Sequence, residues 1–251
     1  MPYVDLDGMR LYYAEHGLAD GSPLVLLHAF MATGDQWQPH LDGFGARYRL
    51  IVPDLRGHGR TDNPGGLAAM NHRQFARDVA GLCRALDIDR AAFVGVSTGA
   101  MLLLSLALDA PDLARALVLA GGTYHYDDEL RRWWRTMTPE SVTSSVERAR
   151  AVHTALGPDH WRLVAQAWIA LSEHPHEVDF PRPEELRTIQ APTLIVHGDR
   201  DRYFPVQVPA TLYGLLPDAE LCILPHTGHF PQADRPAWFA DIVLDFLARR
   251  A

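Results

Sequence analysis

The segment GVSTG at positions 95–99 combines residue types that suit nucleophilic catalysis. The apolar run at residues 92–96 predicts a strand, and residues 98–108, apolar nearly all round, predict a buried helix. A serine on such a strand-to-helix turn projects its hydroxyl beyond the end of the sheet, because the flanking small residues let the two backbones approach closely. We therefore expect Ser97 to be a nucleophile that attacks a carbonyl carbon in acyl transfer.

A serine hydroxyl needs a general base within hydrogen-bond reach, and that base needs an acid to orient it. Two later segments, each directly after a strand-like run, supply both residue types. Asp199 and Asp201 follow the first run, and His226 and His229 follow the second. Sites in open α/β sheets form beyond the carboxyl ends of the strands, so either acid and either histidine is a candidate partner of Ser97. The residue types and their spacing leave both choices open.

The elements that would position these residues alternate between strand and helix patterns, which predicts an α/β fold with a mostly parallel sheet covered on both faces. The pair Asp7-Gly8 between the first two strands predicts a hairpin turn. Apolar spacing predicts helices over residues 71–86 and 98–108, and from residue 236 to the C-terminus. The predicted strands are residues 3–6, 9–15, 24–27, 49–52, 92–96, 116–120, 193–196 and 221–224.

The alternation breaks between about residues 122 and 190, which lack strand patterns and hold two helical ones, over residues 141–156 and 159–171. We interpret residues 122–190 as a helical cap inserted into a core formed by residues 1–121 and 191–251. The cap contains four of the six tryptophans, and at least one of them is expected to line a pocket. The candidate substrate-binding residues are Tyr124, Trp133, Trp134 and Trp161.

From about Val4 to the C-terminus, these features resemble the α/β-hydrolase superfamily. The acid loop of that superfamily often follows the pattern G-x-x-D-x-x-x-P, which Gly198, Asp201 and Pro205 match. Its histidine usually lies between a glycine and an aromatic or hydrophobic residue, as His229 does. The resemblance implies Asp201 as the acid and His229 as the base, in the chain order Ser, Asp, His. It also implies an α/β-hydrolase fold, a mostly parallel eight-stranded sheet flanked by helices, with a small helical cap.

The same resemblance implies an oxyanion hole, in which two N–H groups stabilise the negative charge of the transition state. One donor is the backbone of Thr98, the residue after the nucleophile. The other is the backbone of Phe30 in the loop His28-Ala29-Phe30, where Ala29 replaces the glycine usual in the family. We expect His28 to be a buried structural hydrogen-bonding group. Residues 54–61 resemble the D-x-R-G-x-G-x-S loop of the family, whose charged residues are expected to tie neighbouring loops together.

The activity that the resemblance implies is that of a serine hydrolase, which cleaves a carboxylic ester of a small-to-medium apolar substrate through an acyl-enzyme on Ser97. No metal or other cofactor is implied. The aromatic residues of the cap favour an apolar acyl or alcohol group. The main alternative is hydrolysis of an enol-lactone, or of a carbon–carbon bond in a ring-cleavage product, with the same three residues. A ligand receptor that retains these residues is a third interpretation, distinguished by negligible turnover.

The composition limits partners and location. The chain has 251 residues and a net charge of −8, which disfavours nucleic acid and anionic membrane surfaces as partners. The longest apolar run, residues 100–108, is too short to insert across a membrane, and no secretory signal is visible, so we expect a cytoplasmic enzyme. Cys83 and Cys222 are expected to be buried free thiols. The oligomeric state is left open.

Overall fold

The computed structural model describes residues 3–142 and 146–251, and eight strands in these ranges form one sheet. In chain order the strands are β1 (Tyr3–Leu6), β2 (Met9–Gly17), β3 (Pro23–Leu27), β4 (Arg49–Pro53), β5 (Ala91–Val96), β6 (Ala114–Ala120), β7 (Thr193–Gly198) and β8 (Ala219–Leu224). Their order across the sheet is β1-β2-β4-β3-β5-β6-β7-β8. The pairs β1–β2 and β2–β4 are antiparallel, and the other neighbours are parallel. The predicted mostly parallel sheet is therefore confirmed.

The predicted hairpin turn joins β1 to β2 at Asp7 and Gly8, whose φ angles are 52° and 83°. A two-residue turn of this kind requires positive φ at both positions, and an Asp-Gly pair adopts them at low cost. The turn therefore sets the antiparallel register in which Leu6 lies opposite Met9.

Helices cover both faces of the sheet. The described ranges contain α1 (Leu41–Gly45), α2 (His72–Ala85), α3 (Thr98–Asp109), α4 (Asp128–Trp134), α5 (Val146–Val152), α6 (His160–Ala170), α7 (His176–Asp179), α8 (Pro183–Leu186), α9 (Gln207–Leu215), α10 (Pro231–Asp234) and α11 (Pro236–Arg250). One face packs against α1 and α11, and the other packs against α2, α3 and α9. Within those ranges no helix has both the length and the apolar character needed to cross a lipid bilayer.

The central strands bury side chains on both faces, which explains their uninterrupted apolar sequences. In β3, Leu24 and Leu26 point into the core beneath α1 and α11, while Val25 and Leu27 point into the opposite core. On the first side Phe239 of α11 is fully buried. The sheet is therefore a rigid layer whose carboxyl edge holds the loops in place.

The helix predicted over residues 71–86 is observed as α2. It begins after Asn71, whose side-chain oxygen accepts a hydrogen bond of 2.9 Å from the N–H of Gln74. Such an N-cap satisfies one of the free N–H groups of the first turn. Its apolar stripe, including Phe75 and Val79, is fully buried, as the helical spacing predicts.

The chain between β6 and β7 contains α4 to α8 and no strand among its described residues. The helix predicted over residues 159–171 corresponds to α6. The helix predicted over residues 141–156 is shorter in the structure: residues 143–145 lie outside the described ranges, and α5 ends before a 3₁₀ turn at Thr154–Leu156. The division between core and cap at residues 121 and 191 stays a prediction.

One further helix, α4, is not predicted by apolar spacing. Asp127 caps it by accepting a hydrogen bond of 2.8 Å from the N–H of Leu130. The sequence signal was this aspartate followed by two acidic residues, which favour a helix N-terminus. A second difference concerns the cysteines: Cys83 is buried as predicted, but Cys222 is only partly buried, because it lies on the edge strand β8.

A buried histidine layer, formed by His28, His58 and His153, joins the loop after β4 to the helical segment. The ring centroid of His58 lies 5.1 Å from that of His28 and 5.6 Å from that of His153. His153 Nδ1 accepts a hydrogen bond of 2.8 Å from the N–H of Gly59. Burial lowers the pKa of all three histidines, that of His153 to about 4, so the layer is neutral near pH 7.

We expect acid to destabilise the fold through this histidine layer. Folding lowers the pKa of His153 from an ordinary value near 6.5 to about 4, so the unfolded state binds a proton more readily, and stability falls as the pH drops between these values. Unfolding free energy should fall between pH 7 and pH 4 in both the wild type and the His153→Gln variant. In the variant this fall should be smaller than in the wild type, by up to about 3 kcal/mol. Urea titration at each pH measures this difference.

The matched control is His16→Gln, since His16 is exposed on β2. Its unfolding free energy should depend on pH as that of the wild type does. If the His153→Gln variant lost as much stability in acid as the wild type, protonation of His153 would not be the cause.

Candidate functional site

A strained turn joins β5 to α3 and carries Ser97. The φ of 52° and ψ of −115° at Ser97 belong to a region that non-glycine residues rarely adopt. The N–H of Ser97 donates a hydrogen bond of 2.8 Å to the carbonyl of Ala120, at the end of β6. The strained serine is thereby fixed at the carboxyl edge of the sheet.

The two glycines of the GVSTG segment are required by close backbone approach. A Cβ at Gly95 would lie 2.1 Å from the carbonyl oxygen of Gly99, and a Cβ at Gly99 would lie 2.3 Å from the carbonyl oxygen of Leu27. Both distances are far below any real carbon–oxygen contact, and the blocking atoms are backbone. The sequence pattern therefore reflects the packing of α3 against β3 and β5.

The structure brings together Ser97, His229 and Asp201, which follow β5, β8 and β7. His229 Nε2 lies 3.0 Å from Ser97 Oγ, and His229 Nδ1 lies 2.8 Å from Asp201 Oδ2. When Nδ1–H donates to the carboxylate, Nε2 carries the lone pair and accepts the serine hydroxyl. This tautomer allows the imidazole to remove the proton of Ser97.

The other acid and histidine left open by the spacing lie elsewhere. The carboxylate of Asp199 accepts a hydrogen bond of 3.1 Å from the N–H of Thr227, so it ties the loop after β7 to the loop after β8. His226 occupies a turn in the same loop, with a φ of 51°. The hydrogen bond to Ser97 is made by His229.

Asp201 is held ionised by its neighbours. Its Oδ1 accepts hydrogen bonds from the N–H groups of Tyr203 at 2.8 Å and Phe204 at 3.2 Å. Burial opposes ionisation of Asp201. The hydrogen bond from His229 and the electrostatic interaction with the same ring outweigh burial, so the pKa of Asp201 lies below its ordinary value. A carboxylate at this position stabilises the imidazolium that forms when His229 takes a proton.

His197, at the end of β7, supports this acid and was missed in the sequence. It is fully buried; its Nε2 donates a hydrogen bond of 2.8 Å to the carbonyl of Phe204 and lies 3.4 Å from Asp201 Oδ2. Burial lowers the pKa of His197, so the ring is neutral near pH 7. It therefore fixes the loop that carries Asp201. The available signal was a polar residue at the end of an otherwise apolar strand.

The backbone N–H groups of Phe30 and Thr98 are free beside Ser97. That of Phe30 has no hydrogen-bond partner among residues 3–142 and 146–251, and that of Thr98 begins α3, where no intrahelical acceptor exists. The preceding N–H, of Ala29, donates to Gln36 Oε1 at 2.9 Å. Gln36, which the sequence did not point to, thus occupies the N–H of Ala29, and the N–H of Phe30 is left without a protein acceptor in the described residues.

A cavity of about 270 Å³ opens over Ser97 and His229. Its lining contains no Asp, Glu, Lys or Arg among the described residues, and it is rich in aromatic side chains: Tyr126, Trp133, Trp134, Trp168, Tyr203 and Phe230. Arg202 lines a neighbouring groove together with Asp127 and Glu129. Across the same described ranges, no three His, Cys, Asp or Glu side chains are grouped to hold a metal ion.

Only part of the predicted substrate-binding set lies at this cavity. Trp133 and Trp134 line it. Tyr124 does not, and its ring packs on His125 at a centroid distance of 4.5 Å. Trp161 is also outside the lining: it is buried, with the guanidinium groups of two arginines over its ring. The break in strand–helix alternation placed all four in the cap, but it does not say which of their side chains face the cavity.

The loop resembling D-x-R-G-x-G-x-S ties other segments together. Arg56 donates to the carboxylate of Asp78 on α2 at 2.6 and 2.7 Å. Asp54 is fully buried and accepts a hydrogen bond of 2.8 Å from the N–H of Gly34. His28, also fully buried, accepts a hydrogen bond of 2.8 Å from the N–H of Leu55. These contacts hold the loop of Phe30 against the sheet.

The packing at the turn predicts the effect of a single methyl group. Gly99→Ala should lower the unfolding free energy by about 3 kcal/mol, because the new Cβ meets the backbone of β3. Gly214→Ala in α9 is the control, since its Cβ enters open space, and it should not be destabilised. Thermal or urea unfolding measures both; equal stability of the two variants would contradict the close approach.

Comparisons with known proteins agree with this fold. The family described as "alpha/beta hydrolase fold" matches residues 22–145 and 140–236. The "Putative carbamate hydrolase RutD" of a Caulobacter species is 29% identical, over 96% of this chain and 97% of that protein. The 2-hydroxy-6-oxo-6-(2'-aminophenyl)hexa-2,4-dienoic acid hydrolase of Metapseudomonas resinovorans is 27% identical, over 99% and 91%. The solved structure titled "Est816 as an N-Acyl homoserine lactone degrading enzyme" is 28% identical, over 98% and 100%, with a TM-score of 0.80. Because the family match spans most of the chain, this protein belongs to the α/β-hydrolase family and is a hydrolase.

Proposed function

We propose that the protein hydrolyses a neutral carboxylic ester of small-to-medium size through an acyl-enzyme on Ser97. The observation that carries this proposal is the hydrogen-bonded chain from Asp201 through His229 to Ser97, which opens into an uncharged aromatic cavity. The chain supports a serine nucleophile with its base, and the cavity supports an apolar substrate.

In the first half of the reaction, Ser97 Oγ attacks the ester carbonyl carbon while His229 Nε2 takes its proton. The carbonyl oxygen becomes an oxyanion that accepts hydrogen bonds from the N–H groups of Phe30 and Thr98. When the tetrahedral intermediate collapses, the bond to the alcohol oxygen breaks and the proton on His229 passes to the departing alcohol. Asp201 holds the ring orientation and stabilises its positive charge throughout.

In the second half, a water molecule takes the place of the alcohol. His229 removes one proton from the water as its oxygen attacks the acyl carbon. When the second tetrahedral intermediate collapses, the bond between the acyl carbon and Ser97 Oγ breaks, and the proton on His229 passes to Ser97 Oγ. The products are a carboxylic acid and an alcohol, and the starting state of the three residues is restored.

The charge of the cavity favours neutral substrates over anionic ones. A substrate carboxylate buried in this lining would find no Arg or Lys side chain among the described residues, and an unpaired buried charge is strongly destabilised. The relative named as a dienoic acid hydrolase acts on an acid, so the C–C bond alternative is less well supported here. A neutral lactone fits the same lining, and the relative named as a lactone-degrading enzyme makes it the second candidate.

Two esters of equal length test the charge argument: p-nitrophenyl pentanoate and p-nitrophenyl hemiglutarate, which ends in a carboxylate. The neutral ester should have a kcat/KM about 100-fold higher, because the lining offers the carboxylate no cation. Release of p-nitrophenol gives both rates. Equal kcat/KM values for the two esters would refute the neutral-substrate assignment.

Ser97→Ala is the control for the nucleophile. It should retain the fold and lose at least about 1000-fold in kcat for the neutral ester. A variant that kept the wild-type kcat would exclude the acyl-enzyme on Ser97. Tight ligand binding with negligible turnover in the wild type would instead favour the receptor interpretation.

Gln36 is a positioning residue for the oxyanion hole. Gln36→Leu frees the N–H of Ala29 and should let the loop shift, so that the N–H of Phe30 is misaligned. We expect kcat to fall about tenfold, less than the loss of a whole donor would cause, with KM nearly constant. Gln38 is exposed on the 3₁₀ helix Gly34–His40, which also carries Gln36, and Gln38→Leu should behave as the wild type. A raised KM with constant kcat would make Gln36 a substrate contact instead.

A further inference from the structure

Tyr126 lines the cavity but makes no hydrogen bond with Ser97, His229 or Asp201. Tyr126 and Met101 both line the cavity, and the hydroxyl lies 3.3 Å from Met101 Sδ. Met101 follows Ser97 by one turn of α3, and its N–H bonds to the Ser97 carbonyl. Positions four apart lie on the same face of a helix, so Met101 and Ser97 lie on the side of α3 that borders the cavity.

This hydroxyl lacks a strong hydrogen-bond acceptor. The sulfur of Met101 is a weak acceptor, and the other contact, to His72 Nε2, is long at 3.4 Å. Burial, and then the charge of Asp179, raise the pKa of Tyr126 well above its ordinary value, so the phenol keeps its proton. A buried phenol O–H normally finds a good partner. Here both partners are weak, one being a thioether sulfur and the other lying at 3.4 Å, and Tyr126 lines the cavity.

A buried network of two histidines and Asp179 lies behind the phenol. His72 Nδ1 lies 3.0 Å from Asp179 Oδ1, and His174 Nδ1 lies 3.0 Å from Asp179 Oδ2. Burial opposes ionisation of Asp179, but the two histidines outweigh it and keep its pKa below the ordinary value. The carboxylate also accepts from the N–H of His72 at the start of α2. The network therefore holds His72, and with it the contact to Tyr126, in one place.

Aromatic packing fixes the ring itself. Trp134 and Phe180 each contact it edge to face, with centroid distances of 4.7 Å. Its position is thus determined before any ligand enters, which lowers the entropy that a hydrogen bond to a ligand costs. A fixed donor is suited to discriminate between ligands that have and lack an acceptor.

The position of Tyr126 in the cavity indicates that its hydroxyl lies beside the acyl chain of the substrate and not beside the departing alcohol. The departing alcohol must lie near His229, whose ring is flanked by Tyr203, Phe204 and Phe230 at 4.8, 5.5 and 4.8 Å. Tyr126 belongs to the wall formed with Met101 and Trp134 instead. The acyl chain is the part that extends along that wall.

We propose that the Tyr126 hydroxyl is a binding site for a hydrogen-bond-accepting oxygen on the acyl chain, such as a keto oxygen. This assignment rests on the ester hydrolysis proposed above. It narrows the substrate class from plain alkyl esters to esters, or ring-closed relatives, of oxygen-substituted acids. The apolar remainder of the lining accommodates the carbon chain between the two oxygens.

The test compares p-nitrophenyl levulinate with p-nitrophenyl pentanoate, which have the same leaving group and chain length and differ in one keto oxygen. The quantity measured is the ratio of the kcat/KM value for the levulinate ester to that for the pentanoate ester. The two esters differ in intrinsic reactivity, but this difference is the same for every enzyme variant, so it does not affect the comparison between variants. In Tyr126→Phe this ratio should fall about fivefold, the effect of one lost neutral hydrogen bond. In Tyr124→Phe, whose ring lies outside the lining, the ratio should equal that of the wild type.

A binding measurement separates this proposal from the reaction itself. In the Ser97→Ala background, methyl levulinate and methyl pentanoate are titrated against the fluorescence of the cavity tryptophans. Tighter binding of the levulinate ester that is lost in Tyr126→Phe supports the binding site. If the wild type then hydrolyses neither ester, the binding site still stands and only the proposed reaction is wrong. An unchanged preference in Tyr126→Phe, or no preference in the wild type, overturns the assignment to Tyr126.

Discussion

The site depends on one imidazole ring that makes hydrogen bonds in two directions. His229 lies between Ser97 and Asp201, and it reaches both only because three separate strand ends meet at one edge of the sheet. Strands β5, β6 and β7 are buried almost throughout, so the helices packed on both faces of the sheet hold their ends in fixed positions. Stability of the sheet and geometry of the site are therefore set by the same packing.

The described lining of the cavity contains no Asp, Glu, Lys or Arg, and buried charged side chains are paired elsewhere. Asp54 is fully buried and bonded to Arg60 at 2.6 Å, and Arg56 forms two short hydrogen bonds with Asp78. Asp179 is buried between two histidines. A buried charge is tolerated when a partner is hydrogen-bonded to it, and these pairs brace the loops around the site. The described lining of the cavity has no charged side chain, so its polar atoms act as individual hydrogen-bonding groups.

The chain order of the elements and most of their bounds follow from local signals. The turn Asp7-Gly8, the cap at Asn71 and the uninterrupted apolar strands each act over a few residues, and the structure contains them where the sequence predicts. The cap helices were harder, since α4 depends on the single side chain of Asp127 and α5 is shorter than its apolar pattern. Short helices on a surface depend on tertiary contacts more than on propensity.

The sequence by itself determined the chemistry available, because the steric demands of a strand-to-helix turn leave a recognisable pattern at residues 95–99 and the partner residues follow strand ends. Only the tertiary structure decided which side chains face the cavity. Trp134 faces it and Trp161 does not, and the roles of Gln36, Tyr126 and His197 depend on contacts that the fold creates. The physical reason is that a helix's rotation about its axis is set by packing against distant parts of the chain, which local spacing does not record.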